Sequence, residues 1–134
     1  MFELTDKMRK FLEERRFAVV ATVNEDGSPQ QSVVWYELQG DRILMNTRAG
    51  RAKEKNLVRD PRMSFCLEEG YEYLALRGTA ELDYDQERAQ KGIYDLAVRY
   101  DGEEDAKRQS TEKFSKQRRV NIYMSIEAGS GDGF

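Results

Sequence analysis

The chain has 134 residues, 39% of them apolar and 35% charged, which is the size and composition of one folded domain rather than a disordered segment. Lys plus Arg is 22 and Asp plus Glu is 25, a net charge of −3, so a broad nucleic-acid-binding surface is not expected and any anion site must be local. There is no histidine and one cysteine, Cys66, which excludes a Ser-His-Asp triad, a His- or Cys-rich zinc site and an internal disulfide.

In chain order, residues 4–16 predict an amphipathic helix, with Leu4, Met8, Phe11, Leu12 and Arg15 at spacings of three and four and Thr5 or Asp6 as its cap. The segment is too charged for a signal peptide, and no stretch approaches the roughly 20 apolar residues of a membrane span. A cytoplasmic protein with no membrane partner is expected. "FAVVATVN" (17–24) predicts a strand, "EDGSP" (25–29) a turn and "QQSVVWYEL" (30–38) a second strand, together a hairpin. The second strand is apolar on both faces, Val34 and Tyr36 on one and Val33 and Trp35 on the other, so the outer face needs a cover: a helix, a cofactor or a second copy of the chain.

"RILMNT" (42–47) is the third strand. "NTRAGRAKEKN" (46–56) then opens a helix near Gly50 with Arg48, Arg51, Lys53 and Lys55 at its start and only Glu54 opposing them. Helix N-termini already carry partial positive charge, so cations there cost roughly 0.3–1 kcal/mol each. Two readings follow. One is a solvated helix surface. The other is a phosphate site, in which backbone N–H groups, the helix dipole and fixed cations act together, with the Thr47 hydroxyl beside them.

Pro61 ends this helix. "RMSFCLE" (62–68) and "YEYLALRGTAELDY" (71–84) are the fourth and fifth strands, the latter bent or bulged at Gly78. Cys66, between Phe65 and Leu67, reads as a small buried hydrophobe. Residues 85–100 and 103–117 are helical. "RRVNIYMSIE" (118–127) alternates cleanly as a sixth strand, and "AGSGDGF" reads as a flexible tail. Arg118 and Arg119 read as an exposed strand end or, alternatively, as a second cationic contribution to the anion site, across a dimer interface. The fold expected is mainly β (α+β): one domain over 1–134, a six-stranded antiparallel barrel with flanking helices.

Three stretches carry a resemblance: "FAVVATVNEDGSPQQSVVWYEL", "DRILMNTRAGRAKEKNLVRDPRMSFCLE" and "YLALRGTAEL". Together they resemble the split β-barrel flavin and deazaflavin proteins related to pyridoxamine 5′-phosphate oxidase. "GRAKEKNLVRDPR" is closest to the branch that uses deazaflavin coenzyme F420. The resemblance implies a homodimer with the cofactor at its interface, coenzyme F420 or alternatively FMN. It places the cofactor phosphate on Arg51 and Lys53 beside Ala52, with Thr47 and Asn56 at nearby polar positions, and the ring system along Gln30, Ser32, Val33, Val34 and Trp35. The implied activity is hydride transfer to an unsaturated small-molecule substrate, with a non-catalytic cofactor-binding protein as the alternative. No side chain is an evident proton donor; Tyr36 or solvent could serve. The missing histidine and the ending "EAGSGDGF" argue against vitamin B6 oxidation.

Overall fold

The computed structural model describes residues 2–134. The elements run α1 (Asp6–Glu13), β1 (Ala18–Val23), β2 (Pro29–Val34), β3 (Glu37–Gln39), β4 (Arg42–Arg48), α2 (Ala52–Arg59), β5 (Arg62–Glu69), β6 (Glu72–Asp83), α3 (Gln86–Asp101), α4 (Glu103–Glu112), a 3-10 turn (Phe114–Lys116) and β7 (Arg119–Asp132). Thr5 caps α1 by accepting from the Met8 N–H at 3.1 Å, which sets the start of that helix two residues inside the expected span.

The sheet order is β2-β1-β5-β6-β7-β4-β3, and every pair is antiparallel. Its inner face buries Val20, Ile43, Met45, Phe65, Leu67, Leu74, Leu76, Ile122 and Met124, and α1 closes one end with Phe11 and Leu12. This is the expected antiparallel split barrel with flanking helices, but with seven strands. The extra strand arises because the predicted second strand breaks at Trp35-Tyr36. β2 is one edge of the sheet and β3 is the other, so the chain crosses the barrel between them.

Tyr36 explains the break. Its N–H donates to the Tyr100 hydroxyl at 3.2 Å and its carbonyl accepts from Arg99 Nε at 3.0 Å. Side chains of α3 therefore take the place of a strand ladder and satisfy both backbone groups. The Tyr36 ring is fully buried and its hydroxyl donates to the Leu12 carbonyl at 2.8 Å.

Two sequence expectations are corrected. The "flexible tail" is strand: β7 continues to Asp132, pairing Leu74 with Gly131 and Tyr73 with Asp132. The register shifts between Arg77 and Gly78, leaving Glu127 as the extra residue of a bulge. Two glycines of the β6–β7 ladder are there for close approach. A Cβ on Gly131 would lie 2.1 Å from the Tyr73 carbonyl oxygen, and one on Gly78 would lie 1.8 Å from that of Ser125. The second correction is Cys66, which is exposed. Met63, Phe65 and Leu67 take the inner face of β5, and strand alternation turns Cys66 outward.

Cys66 sits there in a row with Val19, Val33 and Ala75, each opposite the next across the ladder. Phe17 is 63% exposed, Val19 41% and Val33 65%, so the outer face of β1 and β2 carries uncovered apolar side chains. No helix among the described residues is long and apolar enough to cross a membrane.

Candidate functional site

β3 pairs only with Arg42–Leu44, which leaves the later part of β4 uncovered on that side, and the space between it and β2 is a cavity of about 420 Å³. Ser32–Val34 of β2 and Trp35 just beyond it form one wall and Asn46–Arg48 of β4 another. Arg51 and Lys53 enter from the start of α2, Arg119 from β7, and Ile93, Leu96 and Phe114 form the apolar roof.

The local sequence explains why cations gather here. β4 ends at Arg48, and the turn through Ala49-Gly50 needs the positive φ of 96° that glycine adopts at Gly50. Arg51 is the N-cap of α2 and makes no side-chain cap hydrogen bond, so the first N–H groups of the helix have no side-chain partner. Glu54, the one acid in this turn, points back instead. It accepts from the Gly50 N–H at 2.9 Å and from the Tyr84 hydroxyl at 2.6 Å. The acid that could neutralise the cluster is thus used to close the turn.

Among the described residues, Arg48, Arg51, Lys53 and Arg119 form no ion pair. Lys53 Nζ donates to Ser32 Oγ at 3.1 Å, bridging the gap from α2 to β2. Burial, then the charges of Arg51 and Arg119, push the Lys53 ammonium down to about 8. Arg119 is 8% exposed. Burial, then Arg51 and Arg48, lower its guanidinium to about 10. A group of cations without ion-pair partners, two of them desolvated, beside a helix N-terminus is chemically a site for an anion such as phosphate. Asp101 is the one carboxylate on the lining, and it accepts from Gln109 at 2.8 Å.

Trp35 supplies a flat wall. Its ring stacks on Tyr100 at 5.3 Å with 10° between planes, and the Tyr100 hydroxyl is in turn held by the Arg16 carbonyl. Cationic floor, aromatic wall and apolar roof suit a ring-bearing phosphate compound.

Of the expected site residues, Ser32, Val33, Val34, Trp35, Thr47, Arg51 and Lys53 line this cavity. Three do not. Gln30 is exposed on β2 near the hairpin turn, and Ala52 is exposed in the first turn of α2. Asn56 is buried and donates to Thr22 Oγ1 at 3.0 Å and Asn24 Oδ1 at 2.9 Å, so it fastens α2 to the end of β1. Tyr36 cannot act as a proton donor to the cavity. Its hydroxyl is committed to the Leu12 and Glu14 carbonyls, and burial pushes it up to about 12. The sequence left Arg48 and Arg119 each with two readings, as surface charge or as part of an anion site. The β4–β7 register sets them opposite each other, and no local pattern announces that pairing.

A protein named F420 reductase is 26% identical to this chain, with a TM-score of 0.78, covering 95% of this chain and 98% of that one. A conserved hypothetical protein of Mycobacterium tuberculosis is 25% identical with a TM-score of 0.82, covering 97% and 84%. HutZ, the heme storage protein of Vibrio cholerae, shares the fold at 18% identity and a TM-score of 0.71, covering 99% and 97%. The family model described as Pyridoxamine 5′-phosphate oxidase matches residues 4–123. That span holds β1 to β6, the start of β7 and every cation lining the cavity, and the chain belongs to this family.

Proposed function

We propose that this protein is a flavin- or deazaflavin-dependent oxidoreductase that uses reduced coenzyme F420 to reduce an unsaturated small molecule, with FMN as the alternative cofactor. One observation carries the reading: Arg51, Lys53 and Arg119 meet, without an ion-pair partner, in the gap of the barrel beside the start of α2. The "GRAKEKNLVRDPR" segment and the likeness to the F420 reductase favour the deazaflavin over FMN.

In this reading Arg51 and Lys53 hold the cofactor phosphate, together with the free N–H groups at the start of α2. Ser32 to Trp35 border the ring system, with Trp35 fixed against Tyr100 as its flat wall. When bound, the cofactor supplies the hydride. The apolar roof of Ile93, Leu96 and Phe114 excludes water from the ring side. The protein's part is binding and orientation.

A homodimer completes the proposal. Val33 belongs both to the cavity and to the exposed apolar face with Phe17 and Val19, so a second copy covering that face also closes the cavity. Arg48, Arg51, Lys53 and Arg119 gather in one cavity of a chain of net charge −3, which favours a small anionic ligand over nucleic acid. A cytoplasmic location accords with the lack of a membrane-spanning helix among the described residues.

The sealed hydroxyl of Tyr36 favours a second reading, a protein that holds the cofactor without turnover. Incubating the loaded, reduced protein with quinones, enones and nitro compounds separates the two. Substrate reduction above the free-cofactor rate supports the enzyme, and its absence supports the carrier. Titrating the purified protein with coenzyme F420 and with FMN tests the cofactor itself.

A further inference from the structure

We propose that Arg119 is an anion-binding residue of the cavity, facing Arg51 and Lys53 from the opposite strand, and that neutral amide side chains hold it in place so that its charge stays free for the ligand. The proposal rests on reading the cavity as an anion site.

Arg119 is 8% exposed, and a guanidinium so buried is ordinarily paired with a carboxylate. This one is paired with amides. Its Nε donates to Asn46 Oδ1 at 2.9 Å and its Nη1 to Gln117 Oε1 at 2.7 Å. Nη2 makes no hydrogen bond within the chain, yet it is not among the buried polar atoms that lack a partner, so it opens onto the cavity that Arg119 lines.

Asn46 is itself anchored. Asn46 Nδ2 donates to the Ala89 carbonyl at 2.9 Å and to Asn121 Oδ1 at 2.8 Å, and Asn121 Nδ2 donates to the Arg88 carbonyl at 3.0 Å. α3 leaves room for them at Gly92, where a Cβ would fall 2.0 Å from Asn121 Oδ1. A carboxylate at Asn46 or Gln117 would satisfy the same N–H groups and quench the charge. An amide satisfies them and leaves the charge intact. Arg48 stands directly opposite Arg119 in the ladder, a like-charge pair that disfavours the empty site and that an anion would relieve.

Gln117→Glu is the informative substitution. It is nearly isosteric and gives Arg119 an acid, so a purely structural arginine would be better held. Thermal protection by inorganic phosphate, measured on the full chain, is the readout. Gln117→Glu should leave the phosphate-free melting temperature unchanged or raised and weaken phosphate binding about tenfold. Arg119→Gln should weaken it at least as much, and Arg119→Lys should keep part of it.

Phosphate protection that survives in both Gln117→Glu and Arg119→Gln overturns the proposal, as does a wild-type protein that phosphate does not protect. If protection is lost with Arg51→Glu and Lys53→Glu but kept with Arg119→Gln, the anion site stands without Arg119. If protection depends on Arg119 but neither FMN nor coenzyme F420 binds, the role of Arg119 stands and the cofactor reading falls.

Discussion

Lys53 is strongly displaced in its chemistry by its surroundings. Its ammonium is lowered from 10.5 to about 8, because burial and the neighbouring Arg51 and Arg119 disfavour the charged form. The sign of the linkage follows. Below about 8 the folded and unfolded states are both protonated and the penalty on the folded state is full. Between about 8 and 10.5 the folded state holds fewer protons, so stability of the ligand-free protein should rise with pH across that window. Ligand binding has the opposite dependence. An anion beside Lys53 restores the charged form, so binding takes up a proton and affinity should fall as pH rises above about 8. Calorimetric titration in buffers of different ionisation enthalpy would show the uptake, and a flat affinity profile with no proton uptake would contradict it. Replacing Arg51 and Lys53 together with Glu should abolish cofactor binding while leaving the melting temperature close to wild type. Unchanged affinity would remove both from the site.

At the scale of elements, α2 reaches the cavity because Asn56 fastens it to β1 through Thr22 and Asn24. Asn56→Ala leaves buried polar partners unpaired, and a loss of about 1–3 kcal/mol is expected from urea unfolding. A loss near zero would mean that packing of Leu57 alone holds the helix. The end of β7 offers another check. Amides of 129–132 should be slow in hydrogen exchange, as members of a ladder with β6, whereas a frayed tail would exchange at once.

Much of this level could be read from sequence: the Asp-Gly hairpin, the Gly78 bulge, and the helix that begins after Gly50. What could not be read depended on partners distant in the chain. Tyr36 interrupts a strand-like run because Arg99 and Tyr100 take its backbone groups. The glycines at 129 and 131 pack closely because Leu76 and Tyr73 lie against them. Asn56 matched a site position by resemblance, but its three-dimensional neighbours make it a fastener.

For the whole molecule, the site is a consequence of the barrel failing to close. Seven strands curl until β2 and β4 face each other unpaired, and the polar gap collects Arg48, Arg51, Lys53 and Arg119 from three separate elements and one connecting turn. The same curl leaves Phe17, Val19 and Val33 outside. If a second copy covers them, Val19→Asp together with Val33→Asp should yield a monomer by sedimentation and weaken cofactor binding, because Val33 also borders the cavity. A wild-type protein that sediments as a monomer would end that proposal.

The central claim is that this gap holds the phosphate-bearing deazaflavin. Its most direct test is equilibrium titration of the purified protein with coenzyme F420 and with FMN under one set of conditions. Saturable binding of both is expected, with F420 the tighter. Binding of neither would contradict it.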